Sequence, residues 1–332
     1  MVRSSMADTA RQSALLNLKA CTVDESSLRE RGAERHVSKK RTLGESVNSQ
    51  ENDSAAEEER AGCWSRVGKF RSHILDVERE RLEIQHEIWL ISTQNKLFLA
   101  PLAAPGTILD FATGTGNWAI ESARRFPNSR MFGCDTAPIQ PKDVPANCTF
   151  CTTTNLEDST TWSSSPQTFD LIHSRSMAPF FSSSPTFFES AFESLNPGGY
   201  LELQDHLVPV CSVDSSLQET DLDRWSQAFC SASRNLGIST DDSALSKPRM
   251  EAAGFVDVRE VHFQWPVGTW AHGEINKQIG TLCARNLESG MQGLGREVLL
   301  QGAGLSASEV DGLIEGARSD LGNRKLHAYF SV

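Results

Sequence analysis

The sequence predicts an α/β protein built on a doubly wound, mostly parallel sheet. Residues 107–126 read as strand, glycine turn and helix in immediate succession. Strand-like apolar runs then alternate with helical patterns through most of the chain. Phe169-Asp170-Leu171-Ile172-His173 is continuous enough in apolar character for a strand covered on both faces, as parallel sheets between two helical layers require.

Taken in order, residues 1–68 are rich in Ser, Glu, Arg and Ala and hold few large apolar groups, so they are expected to be mostly disordered. Order is expected from near Phe70. Val77, Leu82, Ile84, Ile88 and Ile91 recur among charges at helical spacing and predict an amphipathic helix over 76–91. Thr107 to Phe111, bounded by Pro105-Gly106, is the first strand; Ala119, Ile120, Ala123 and Phe126 form the buried stripe of the helix that follows, stopped at Pro127. Met131 to Cys134 and Cys148 to Cys151 are strands two and three, and Phe169 to His173 is the fourth. A helix over 186–195 ends at Asn196-Pro197-Gly198-Gly199, and Tyr200 to Gln204 is the fifth strand. Helices are expected over 219–236 and 246–253, and Val256 to Phe263 reads as a sixth strand with a slip in alternation near Glu260. Ile275, Ile279, Leu282 and Leu287 give an apolar helical face, and Ser306-Ala307-Ser308-Glu309 is a capping box with Leu305 and Val310 as its hydrophobic staple. Leu326, Ala328, Phe330 and Val332 alternate as a last strand.

The 332 residues carry a formal net charge of −11, which argues against phosphate-backbone binding, so no nucleic-acid partner is expected. No run approaches the ~18 apolar residues of a spanning helix, and no apolar signal core opens the chain. A soluble, reduced, cytoplasmic protein without a membrane partner is expected, with a nuclear location as the alternative. The eight cysteines show no framework, and Cys148-Thr149-Phe150-Cys151 reads as packed thiols rather than half of a zinc site; no metal is expected.

The loop Ala112-Thr113-Gly114-Thr115-Gly116 presents backbone N–H groups at the carboxyl edge of a strand, which marks a nucleotide site. The match to G-x-G-x-x-G/A is weak by itself, and Asp110 decides between ligands. A carboxylate just before the glycines opposes a pyrophosphate, whereas S-adenosylmethionine carries an ammonium and a sulfonium and no phosphate. Asp135, 19 positions beyond Gly116 and after the second strand, would take both ribose hydroxyls.

From Glu80 onward the chain resembles the class I S-adenosylmethionine-dependent methyltransferases, specifically the fungal LaeA-like group. Leu82 to His86, Lys96 to Leu102, Ile108 to Trp118, Pro138 to Pro141, Phe169 to Arg175 and Leu195 to Tyr200 carry the resemblance, in the family's order. It implies a seven-stranded Rossmann-like sheet whose last strand runs antiparallel between strands five and six, and a last strand longer than this chain supplies. It also implies a helical cap (69–104), a sheet-and-helix core (105–264) and a helical lid over the acceptor (265–325), with 326–332 closing the sheet. The cofactor residues it implies are Asp110, Ala112, Gly114, Gly116, Asp135, Thr136, Asn155 on the adenine amino group, Leu156 packing there, and His173. The class has a glycine where Ala112 stands, and alanine is expected to keep the turn only with a negative φ.

A general base is needed only if the acceptor must lose a proton, and His206 at the end of strand five is the catalytic candidate, with His173 and Asp205 beside it. His86 would face a ligand or pack. Arg175 would hold an acidic substrate or, the reading preferred, pair with a buried carboxylate. Three function classes stay open: methylation of a small-molecule acceptor in secondary metabolism, a LaeA-like nuclear regulator, for which Lys39-Lys40-Arg41 is the one local feature, and a methyltransferase fold without methyl transfer.

Overall fold

A computed structural model describes residues 73–153, 156, 168–177, 185–238, 240 and 242–332. The N-terminal segment, its basic cluster and Asn155 lie outside these. The central sheet has five strands: β1 (Thr107–Phe111), β2 (Arg130–Asp135), β3 (Cys148–Thr152), β4 (Phe169–Arg175) and β5 (Leu195–Gln204). Their order is β3-β2-β1-β4-β5 and every pairing is parallel. The reversal of order between β2 and β4 falls at β1, where α/β sheets open a crevice beyond the strand ends.

Apolar residues of β1 alternate between two buried layers. Leu109 and Phe111 pack with Phe187, Phe188 and Phe192 of α3 (Pro185–Ser194) and with Met250 and Ala253 of α5 (Ser246–Ala253). Ile108 packs on the other face with Trp118, Ala119 and Ala123 of α2 (Asn117–Arg125) and with Leu97 and Phe98. The helix ends at Ser194, as the Asn196-Pro197-Gly198-Gly199 signal leads one to expect, and in β5 Asn196 to Gly199 form a bulge. Leu195 pairs with Phe169, Tyr200 pairs with Leu171, and a Cβ on Gly199 would meet the carbonyl oxygens of Asn196 and Phe169 at 2.9 and 3.0 Å.

A third core joins α1 (His73–Ser92) to α4 (Asp221–Asn235), α6 (Glu274–Gly290), α7 (Arg296–Gly302) and α8 (Ala307–Leu321). Ile84, Ile88 and Trp89 of α1 meet Trp225, Ile279, Leu282, Leu299 and Ile314 there. The capping box of α8 forms as its spacing predicts, with Ser306 accepting from the Glu309 N–H.

Among the described residues the strands form a five-stranded and a three-stranded sheet rather than one sheet of seven. The last strand, β8 (Ala328–Ser331), lies off the central sheet, antiparallel to β6 (Cys211–Ser212) and β7 (Gln264–Pro266) in a separate three-stranded sheet. The chain leaves β5 at Gln204, and Leu207 then donates to the Ser331 carbonyl at 2.8 Å, so β8 pairs with the continuation of the fifth strand instead of its body. Residues 256–263 do not form the expected strand. Val256 and Val261 are exposed, whereas Val258 packs on the layer of Phe255 and Phe263 on the core of the C-terminal helices, so the apolar residues share no single layer; Phe263 and Val332 exchange hydrogen bonds of 2.7 and 3.0 Å. Ile275, one residue into α6, is 65% exposed and does not join the face of Ile279, Leu282 and Leu287. Among the described residues no helix is long and apolar enough to cross a membrane.

Candidate active site at the carboxyl edge of the sheet

The turn from β1 to α2 has an alternating backbone: Ala112, Gly114 and Gly116 have φ of +56°, +56° and +81°, while Thr113 and Thr115 do not. Such alternation gathers N–H groups into a concave nest that favours negative charge. Asp135, at the end of β2, already fills it in part. Its Oδ2 accepts from the Gly114 N–H at 2.8 Å and its Oδ1 from the Ala137 N–H at 2.9 Å. Burial pushes its carboxyl above the ordinary value, and the N–H bonds of Ala137, Gly114 and Thr136 oppose that. A protein carboxylate at the amide where a pyrophosphate would sit works against a dinucleotide. Each of its oxygens keeps lone-pair capacity for a further donor such as a ribose hydroxyl.

The positive φ of Ala112 corrects the expectation of a negative one. The left-handed conformation costs an L-residue roughly 1–2 kcal/mol, and the turn keeps it because Thr113 and Gly116 are tied into it. The Thr113 N–H donates to the Cys134 carbonyl and the Gly116 N–H to Thr113, both at 2.9 Å.

Asp110 faces inward. Its side chain is almost fully buried; Oδ2 accepts from the Thr113 hydroxyl at 2.5 Å, and Oδ1 lies 2.8 Å from Nδ1 of His173, its register partner on β4. Thr113 and His173 each bond one oxygen of Asp110, which gives the carboxylate a structural part in the turn. His173 is fully buried and stacks on Trp118 at 3.6 Å between ring centroids, and its Nε2 has no partner among the described residues. Thr136 is exposed and adds its N–H to Asp135, whereas Leu156 packs against the layer containing Phe111.

His206 does not lie with these groups. Its ring sits 5.6 Å from Phe330 and 6.2 Å from Trp265, on the side of the three-stranded sheet. Burial first, then the Arg81 charge, lowers its pKa from 6.5 to about 4, so it is neutral at pH 7 and a weak base.

A set of residues that sequence reasoning passed over surrounds the end of β4. Glu202 of β5 accepts from the Leu99 and Ala100 N–H groups at 2.7 and 2.8 Å, and Gln204 Nε2 donates to Glu202 at 2.7 Å. Together with Trp118 Nε1, which donates to the Leu97 carbonyl at 2.8 Å, they pin residues 97–100 against the sheet. Two polar residues at alternate positions in a strand covered on both faces were the available signal. His86 of α1 contacts Glu121 through Nε2 at 2.6 Å and Arg175 through Nδ1 at 2.8 Å, and burial followed by the Arg175 charge lowers its pKa. Arg175 lacks the expected carboxylate partner among the described residues. Its Nε donates to Gln204 Oε1 at 2.5 Å, and burial lowers its pKa to about 10 against the pull of Asp110, Glu202 and Glu121. The C-x-x-C pair is split, with Cys148 buried and Cys151 exposed. Among the described residues no group of three His, Cys, Asp or Glu is placed to hold a metal.

A family model described as a methyltransferase domain matches residues 84–260. The chain is 30% identical over 256 residues to the methyltransferase pytC of Aspergillus terreus, covering 76% of this chain and 78% of that one. It is 29% identical over 259 residues to the probable methyltransferase tdiE of Emericella nidulans, covering 77% and 80%. It is also 27% identical over 290 residues to the protein-methionine methyltransferase laeA of Emericella nidulans, covering 86% and 76%.

Two outcomes follow from this geometry. Ala112→Gly removes the left-handed penalty and is expected to raise stability by up to about 1 kcal/mol, a thermal midpoint higher by roughly 2–4 °C; a lower midpoint would show that the turn is not strained there. For His206 the folded pKa lies below the ordinary one, so its contribution is complete above pH 6.5 and is lost as pH falls toward 4. Between pH 7 and pH 5 wild type should lose about 2 kcal/mol more than His206→Phe in chemical denaturation. Equal losses would place the ring in water.

Proposed function

We propose that this chain, which belongs to the methyltransferase-domain family and is an S-adenosylmethionine-dependent methyltransferase, takes a small molecule of secondary metabolism as its acceptor. The observation that carries the cofactor site is the Asp135 carboxylate seated on the Ala112–Gly116 turn with acceptor capacity to spare. The residues present fit the donor: among the described residues no cationic side chain hydrogen-bonds the turn, two carboxylates flank it, and α1 places Leu82 against Gly114 as an apolar cover.

When bound, S-adenosylmethionine supplies a methyl carbon already activated by a positive sulfur. Asp135 takes the ribose hydroxyls. Gly114 and Gly116 let the backbone approach closely, since their left-handed conformation excludes most side chains. Leu156 packs by the adenine, and the adenine role of Asn155 is kept as part of this proposal. Asp110, His173 and Trp118 form a rigid floor that fixes the turn rather than touching the reacting atoms. α1 and helices α6–α8 share one core and act as cap and lid that exclude water from the transfer. Orientation of donor and acceptor in such a dry site supplies roughly 7–11 kcal/mol of barrier reduction, so a strong protein base is not required. His206, neutral at pH 7, contacts the acceptor or accepts its proton weakly.

A second reading keeps the cofactor site and takes a protein or regulatory partner as acceptor, as the printed name of the Emericella nidulans relative laeA describes for that protein. Methylation of small molecules from the same biosynthetic gene neighbourhood separates the two.

Calorimetric titration with S-adenosylhomocysteine tests the cofactor assignment. Asp135→Ala removes a charged acceptor worth ~1.5–3 kcal/mol, so affinity should fall about 10- to 150-fold. Asp135→Asn, which keeps one acceptor for the turn, should fall less. Equal affinity for wild type and Asp135→Ala would remove Asp135 from the ribose site.

A further inference from the structure

One face of the central sheet is polar at the carboxyl ends of β1, β4 and β5, where a doubly wound sheet is ordinarily apolar. Register pairs Asp110 with His173, His173 with Glu202, and Arg175 with Gln204, so these side chains share one face. α1 covers that face with Gln85, His86 and Trp89: Gln85 accepts from Ser176, His86 meets Arg175, and Trp89 lies beside the guanidinium.

Every carboxylate of the cluster is satisfied from within. Asp110 has Thr113 and His173; Glu202 has Leu99, Ala100 and Gln204; Glu121 has His86 and Arg125. Arg175 is not. Both of its hydrogen-bond partners are neutral, the Gln204 amide oxygen and the His86 ring. A guanidinium only donates, so His86 Nδ1 is the acceptor and its Nε2–H goes to Glu121, which fixes the neutral tautomer. Nη2 of Arg175 is buried with no partner among the described residues, and the guanidinium carbon lies 5.5 Å from the centre of the Trp89 ring. Asp110, Glu202 and Glu121 attract the charge without bonding it, so the buried Nη2 N–H groups stay unpaired, which is costly, and the unpaired edge of a guanidinium matches a carboxylate bidentately.

We propose that Arg175 is the anion-binding residue of the transfer site and that its Nη2 edge receives a ligand carboxylate. This rests on the cofactor reading above. β4 lies two strands, roughly 10 Å, from the strand that ends in Asp135. Asp135 and Arg175 therefore bracket the glycine turn, the acid on the ribose side and the cation beyond it. A carboxylate there belongs either to the amino-acid end of the donor or to an acidic acceptor.

Full-length wild type, Arg175→Gln and Arg175→Lys are titrated with S-adenosylhomocysteine, with 5′-methylthioadenosine, which lacks the amino-acid end, and, when saturated with S-adenosylhomocysteine, with benzoate. If the donor supplies the carboxylate, Arg175→Gln weakens S-adenosylhomocysteine about 10-fold or more, leaves 5′-methylthioadenosine unchanged, and Arg175→Lys recovers part of the loss. If the acceptor supplies it, both nucleosides bind all three proteins alike, and benzoate binds wild type but not Arg175→Gln. Either pattern supports the proposal. Should Arg175→Gln lose 5′-methylthioadenosine as well, its fold is damaged and Arg175→Lys is read in its place, a Lys variant equal to wild type for all three probes overturning the proposal. Unchanged S-adenosylhomocysteine binding together with benzoate binding that is absent or independent of Arg175 overturns it too. A wild type that binds neither nucleoside overturns the cofactor reading and the proposal with it, a result recognisable before any variant is compared.

Discussion

The buried carboxylate of Asp110 is the constraint on which the site depends. It holds the glycine turn through Thr113 and the neighbouring strand through His173, and Trp118 from the following helix stacks on that histidine. Strand, turn, helix and next strand are thus locked by one side chain. With the turn held, Ala112 keeps a left-handed backbone that its side chain disfavours. The Gly114 amide is then presented to Asp135, which accepts from it at 2.8 Å.

This arrangement also explains why the sheet edge tolerates so much buried polarity. A charged group inside a protein is stabilising only when its bonding capacity is met. Glu202 meets its capacity by fastening residues 99 and 100, and that fastening brings the segment after α1 onto the sheet. α1 and the sheet are therefore coupled through polar contacts around β4 and β5, while the apolar core of α1 lies with the C-terminal helices.

Much of this was legible in the sequence, for identifiable reasons. Runs such as Phe169 to His173 must be apolar on both faces, so the parallel strands announce themselves, and the small loop between Phe111 and Asn117 admits few other structures. The alternation of Leu326, Ala328 and Phe330 marked a strand, but alternation names a buried face and not a pairing partner, so the separate three-stranded sheet was not foreseen. Val256 to Phe263, whose alternation slips near Glu260, forms no strand: Val256 and Val261 are exposed, and Val258 and Phe263 pack on different cores. At the site, Asp110 and His173 were singled out from residue type, yet their bond depends on strand register, which spans 63 positions of chain. His206 was named from its place after β5, and its packing against Trp265 and Phe330 of the small sheet depends on pairings that residue type does not show.

The inward role of Asp110 is tested most directly by a double-mutant cycle of Asp110→Asn and Thr113→Val on the dissociation constant of S-adenosylhomocysteine. If Asp110 acts through Thr113 and the turn, the double variant binds about as well as Asp110→Asn alone, within roughly 0.5 kcal/mol, and the coupling energy is close to the whole effect of Thr113→Val. If the two losses instead add in full, Asp110 acts on the ligand independently of the turn, and the central role assigned to its buried bonds is contradicted.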